Sequence, residues 1–207
     1  MSLITDLFKR YKRMLASDSV TTEHAIWDDG GAWIEAARKF VRDKTDRLDL
    51  RGADLRNMDL SQKELRAANL GFAKLVGQNL SGRDISFAEL QNADLSNANL
   101  SGANLSGTDL SNANLRGADL HGADLNHATL LGVDLMGANL SNAILTSAVL
   151  VDANLCGTNL TDANLTNAVL TNALLIAANL TNANLGFVNF GGADFTGAKM
   201  PNGSIHD

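Results

Sequence analysis

From Leu50 onward a large apolar residue falls at every fifth position, and this period limits what the chain can fold into. Of the 32 such positions from 50 to 205, 27 are Leu; the others are Ile85, Phe190, Phe195, Met200 and Ile205. Two residues earlier, 22 of the 32 positions are Ala, usually with Asp or Asn between, as in Ala98-Asn99-Leu100-Ser101-Gly102. A helix advances about 100° per residue, so five residues carry each Leu about 140° from the last and build no common apolar face. A flat strand has period two, and five is odd. The chain must therefore turn once per repeat.

Each unit reads as a short extended piece followed by a corner. Ala and Leu, two apart, point inward, and the Asp or Asn between them points out. The next two residues are rich in Ser, Thr, Gly and Asn, types that tolerate positive φ or bond nearby backbone. A slower period of twenty is visible in unusual residues. Lys63 and Arg83 recur at an inward position, Leu131 and Val151 at one corner position, and Met136, Cys156 and Ile176 at another. Twenty residues are four units, hence four sides. An all-β solenoid of about eight coils is expected over residues 46–205, roughly 38 Å long at about 4.8 Å per coil.

The unit Ala-Asp/Asn-Leu-Ser/Thr-Gly/Asn resembles that of the pentapeptide-repeat family, and the ending Met200-Pro201-Asn202-Gly203-Ser204-Ile205 is similar to members common in photosynthetic bacteria. The resemblance implies a right-handed quadrilateral β-helix. It implies no single function.

The ends need covers, because an open coil exposes core and unpaired backbone. The larger inward residues Phe190, Phe195 and Met200, followed by Pro201, read as a C-terminal cap. Residues 1–45 carry no repeat and read as an α-helical N-terminal segment. Leu3, Ile4, Leu7, Phe8, Tyr11, Met14 and Leu15 have helical spacing, and a second helix is expected over about 32–44, with Trp27 and Trp33 nearby. Two readings fit this segment: a cap over the first coil, or a docking element using the basic face of Lys9, Arg10, Lys12 and Arg13.

Composition and charge narrow the function classes. The net charge is −6, and residues 117–198 contain six Asp and no Lys or Arg. Direct nucleic-acid binding is therefore not expected. The single cysteine, Cys156, permits no intrachain disulfide, there is no signal peptide or membrane span, and a cytoplasmic protein is the expectation. His24, His121, His127 and His206 lack metal-ligand spacing, and Cys156 has no basic partner. The recurrent Asp residues read as solvated turns. No enzyme activity, metal or cofactor is expected.

The informative positions are those where the pattern breaks. Lys63, Gln78 and Arg83 occupy inward positions, where unpaired charge is costly; either the chain bulges there or the N-terminal segment meets them. Phe72 and Phe87 occupy corners nearby. Together with Trp27, Trp33, Lys63 and Arg83 they are the candidate cap contacts. Farther along, Leu131, Val149, Val151 and Val169 stack on one outward side, and Met136, Cys156, Leu174 and Ile176 on the next. An apolar patch of this kind marks an interaction site. A protein partner, a second copy of the chain and coverage by the N-terminal helices all fit it. The family resemblance adds a rival: some members bind DNA gyrase by resembling duplex DNA, and the acidic stretch 117–198 fits that in sign.

Overall fold

Backbone pairing follows the twenty-residue period. The computed structural model describes residues 47–207. The chain divides into two units, Met1–Ala36 and Ala37–Asp207, and the described residues belong to the second. In that unit the outward residue of each repeat pairs in parallel with the residue twenty positions on. The pairs run from Asp49 with Asn69 to Asn179 with Lys199. Leu50 donates its N–H to the Asn69 carbonyl at 2.8 Å, and Asn69 donates to Leu48 at 2.9 Å, a scheme that then recurs turn after turn. One turn of the solenoid therefore takes twenty residues and has four sides.

The corners explain the polar half of the repeat. The carbonyl of each inward Leu accepts a bond from the N–H three residues on, as from Ala53 to Leu50 at 3.0 Å. The second corner residue has positive φ at Gly52 and at every fifth position from Ala67 to Gly197, while the first does not. This is a type II turn, which calls for Gly or Asn at that place. The outward Asp or Asn then accepts from the N–H two residues later, as from Ser101 to Asn99 Oδ1 at 3.0 Å or Met136 to Asp134 Oδ1 at 3.1 Å. That N–H lies outside the ladder, so the side chain supplies the partner that the backbone does not.

The interior is one continuous apolar column. The inward Leu residues from Leu55 to Leu180 are buried, with Ile85 among them, and Ala fills the space between. Thr108 and Thr158 replace Ala and stay buried, because their hydroxyls donate to the carbonyls of Leu105 and Leu135 at 2.7 and 2.9 Å.

Two places depart from the rule. Between Asn57 and Glu64 the corners at Asn57 and Gln62 lack positive φ, and Asp59 and Glu64 form no pair twenty residues on. Met58 and Lys63, at inward positions by count, are exposed. The chain bulges here, and the expectation that Lys63 points inward is corrected. Gln78 and Arg83 fill the gap. Gln78 Nε2 donates to the carbonyls of Leu55 and, at 3.2 Å, Met58; the Arg83 guanidinium donates to the carbonyls of Ser61 and Lys63. At the other end the chain reverses after Pro201. Lys199 pairs antiparallel with Ile205, while Gly197 donates its N–H to the His206 carbonyl and His206 donates to the Ala198 carbonyl, each at 2.8 Å. Phe190, Phe195 and Met200 pack on the last of the core. Ile205, counted as inward, is turned out by this reversal and is 59% exposed.

Candidate interaction surface

The twenty-residue stacking brings the apolar outward residues together. Thr129, Val149 and Val169 form one continuous row of parallel pairs, and Asp134, Asn154 and Leu174 form the row on the next side. Between these rows lies the corner of Leu131 and Val151, coupled by the bond from Gly132 N–H to the Val151 carbonyl at 2.9 Å. The far corner of the second side holds Met136, Cys156 and Ile176, coupled by bonds from Gly137 to Cys156 at 3.0 Å and Gly157 to Ile176 at 2.9 Å. The Cys156 sulfur lies 3.9 Å from the Leu174 carbonyl. Leu131, Met136, Leu174 and Ile176 are exposed, Leu131 at 41%; Val149, Val151, Cys156 and Val169 are half-buried. All eight share two adjacent sides and the corners that bound them.

The patch has a second property, which composition does not reveal. Where the outward residue is Thr129, Val149, Val169 or Leu174, no carboxylate or amide reaches the corner N–H. The N–H groups of Leu131, Val151, Thr171 and Ile176 consequently have no acceptor among the described residues, unlike those of Met136 and Cys156. Three of the four stack at one corner. The surface is thus apolar in its side chains and donor-rich in its backbone.

Acidic groups border it. Asp134 accepts from Arg116 at 3.0 Å and from Asn154 at 3.1 Å, and Asp152, beside Val151, accepts from Asn172 at 3.1 Å. Toward the N-terminal turns the corner of Leu131 and Val151 carries Arg51 and Phe72, and the preceding corner carries Arg66 and Phe87. Phe72 is 50% exposed with the Arg51 guanidinium 4.8 Å from its ring centre. Phe87 has Arg66 at 5.9 Å and lies across Gly107, where a Cβ would meet the ring at 2.8 Å. That neighbour fixes why position 107 is Gly. Trp27 and Trp33 lie outside the described residues, as do both expected N-terminal helices.

Besides Met58 in the bulge, two exposed apolar residues escaped the sequence reading. Ile144 is 40% exposed on the side preceding the Val149 row, and Phe187 is 83% exposed at a corner with φ of 57°. Both were legible as departures from the outward Asn and the corner Asn or Gly.

Titration adds little chemistry. Arg56 beside Asp54 holds that carboxyl down at about 2. The Ser61 and Thr196 hydroxyls and N–H groups lower Asp59 and Asp194, and burial lowers His127 against the opposing pull of Asp124. Among the described residues no group of three His, Cys, Asp or Glu is arranged to hold a metal, and no helix is long and apolar enough to cross a membrane.

The family model for pentapeptide repeats matches the chain in eight copies, over residues 46–82, 64–102, 93–132, 103–142, 134–172 and 173–203. Among solved structures the chain is similar to Rfr23, a pentapeptide repeat protein from the cyanobacterium Cyanothece 51142. Identity is 38% over 48% of this chain and 64% of that one, with a TM-score of 0.42. The chain thus spans a little under two thirds of Rfr23. It is also similar to HetL of Nostoc sp. strain PCC 7120, involved in heterocyst differentiation regulation, at 29% identity over 83% of this chain and 98% of that one, TM-score 0.41. QnrB1, a plasmid-mediated fluoroquinolone resistance protein, matches at 19% identity over 75% of this chain and 85% of that one, TM-score 0.34. No curated protein sequence matches.

Proposed function

The chain belongs to the pentapeptide-repeat family, whose members are right-handed quadrilateral β-helices, and from that premise we propose that it is a non-enzymatic interaction module that binds protein through the face of residues 131–176. One observation carries the reading: exposed apolar side chains and corner N–H groups without an acceptor cluster at Leu131, Val151, Thr171 and Ile176 on two adjacent sides, Thr146 beside Ile144 being a further instance on the preceding side. The fold needs neither, because the Asn or Asp rows elsewhere serve the same backbone. A protein surface offering apolar groups and carbonyl acceptors satisfies both at once. The finer architecture we infer is about eight coils with residues 1–45 as an α-helical cap, in a cytoplasmic protein. The lone Cys156 fits that compartment.

The test is capture of partners by the wild-type chain and by a Val151→Asp/Ile176→Asp double variant. Both positions point outward, so the fold should survive, which circular dichroism checks. A saturable complex lost in the double variant supports the reading. An unchanged set of complexes overturns it.

A second reading rests on the Lys- and Arg-free stretch 117–198: an acidic rod that regulates DNA gyrase by resembling its substrate. Many of the outward positions there are neutral Asn, which weakens it. A supercoiling assay decides, since no effect at micromolar excess ends that idea.

A further inference from the structure

We propose that the C-terminal edge of the solenoid binds an extended segment of another protein, which adds a strand along the side of Asn189. The site lies one turn beyond Val169 and does not depend on the apolar patch.

The ladder is unfinished on that side. From Asn69 to Val169 each outward residue pairs in parallel with the residue twenty positions on, but Asn189 pairs only backward, with Val169. One turn below, Leu170 and Asn172 donate their N–H groups to the carbonyls of Asn189 and Gly191 at 2.7 and 2.8 Å, and the Ala168 carbonyl accepts from Asn189 at 3.0 Å. The counterparts at the edge are the N–H groups of Phe190 and Gly192 and the carbonyl of Val188. None of these has a partner among the described residues. The core is open in the same place: Ala168 and Leu170 are buried, whereas Val188 and Phe190 are half-buried. An acceptor and two donors in ladder register beside an apolar floor are answered by a polypeptide main chain in extended form.

The chain itself supplies the precedent. On the opposite side the segment after Pro201 turns back and Ile205 pairs antiparallel with Lys199. There the Ala198 carbonyl, the counterpart of Val188, accepts from His206 at 2.8 Å, and the Met200 N–H, the counterpart of Phe190, donates to Ser204 at 2.7 Å. That reversal closes one side and leaves the side of Asn189 bare. It also stands one strand above the open sides, so the end of a second copy could not seat flush on them, whereas a single segment can.

Phe187 marks where the segment enters. Its φ is 57°, a conformation that costs a bulky side chain, at a corner where Asn or Gly is usual. Phe72 and Phe87 share that conformation, but Arg51 covers one ring and the other lies across Gly107. Phe187 is 83% exposed and has no such contact among the described residues. A strained, exposed aromatic ring with no use inside the fold suits a binding anchor. At the far end of the side, Gly191 and Gly192 leave the approach clear of side chains. The inner face of the added strand would cover Val188 and Phe190. The partner segment therefore carries apolar residues at alternate positions, as the Ala-Asn-Leu unit does.

A fluorescently labelled peptide copying residues 166–175, the stretch one turn below the site, is the probe. Titrated against the full chain, it should bind saturably and slow amide hydrogen exchange at Phe190 and Gly192. Phe187→Asn, which suits the left-handed corner, should weaken binding about tenfold. N-methylation of one alternate set of the peptide's amides, and not of the other, should abolish it. Val151→Asp/Ile176→Asp should leave it unchanged, so this site and the apolar patch fail separately. No binding at millimolar peptide, or binding that survives Phe187→Asn and N-methylation of either set, overturns the edge site. Slowed exchange at Phe190 and Gly192 in the free chain as concentration rises, with a doubled mass, puts a second copy there and overturns the choice of partner.

Discussion

The side of the solenoid carrying Asn99, Asp119, Asn139, Asn159 and Asn179 and the side carrying Thr129, Val149 and Val169 share one backbone and one core. On the first, each amide or carboxylate locks its corner N–H, and amides bridge the turns, as from Asn139 to Asp119 at 2.9 Å and Asn159 to Asn139 at 3.1 Å. On the second, Asn69, Asp109 and Asn189 do the same, but at Thr129, Val149 and Val169 no such lock exists. The paired backbone is as regular on both. The difference teaches that the inward residues and the second corner residue specify the coil. The outward residue is a local stabiliser that can be given up, and where it is given up the surface is free to serve something else.

Substitutions sharpen that division. Inward and outward leucines should differ most. Leu135→Ala, in the buried column, should cost about 3 kcal/mol, whereas Leu131→Ala, four residues away, should stay within about 0.5 kcal/mol; chemical denaturation of both variants measures the gap. Next comes the bulged first turn. Gln78→Ala leaves the carbonyls of Leu55 and Met58 without their side-chain donor and should cost about 1–3 kcal/mol, more than Asn79→Ala beside it. Smaller still, and opposite in sign, Val149→Asn supplies the missing lock for the Val151 N–H. It should raise stability by about 0.5–1 kcal/mol while weakening association. A variant that loses stability instead would break the account of the apolar rows.

The smallest effect is in pH. The lowered His127 value means the unfolded chain takes up that proton first, so its contribution is complete above the ordinary value of 6.5 and declines as pH falls below it. The carboxylates of Asp54, Asp59 and Asp194 act in the same direction, but only below the ordinary value of 3.8. Among the described residues with a shifted value, only His127 acts in the interval from pH 7 to 5. His127→Asn should melt close to the wild type at pH 7 and above it at pH 5.

Much of this could be read beforehand, for physical reasons. A five-residue apolar period has few backbone solutions, and the twenty-residue recurrence of Met136, Cys156 and Ile176 counted the sides. The patch was visible because hydrophobic residues stood where polar ones recur. The bulge was visible only as the polarity of Lys63, Gln78 and Arg83. Asn57 announced no different turn, since Asn accepts either corner, while Gln62 is a poor residue for positive φ but stood among corners that also hold Phe and Ala. Ile205 was misplaced because the period continues formally after Pro201, while the chain itself reverses. The unanswered N–H groups could not be seen until Asp and Asn were known to serve that role elsewhere.

The parallel pairing at a separation of twenty has one last consequence. Inserting twenty residues would lengthen the stack by a turn and leave every column aligned. Inserting five would keep the core in phase but rotate everything downstream by a quarter turn. One extra unit near Gly122 would thus carry Val151 away from the column of Arg51 without disturbing a single inward leucine. The repeat is an angular dial as well as a spacer, and the direction a binding face points can change by discrete steps that folding does not resist.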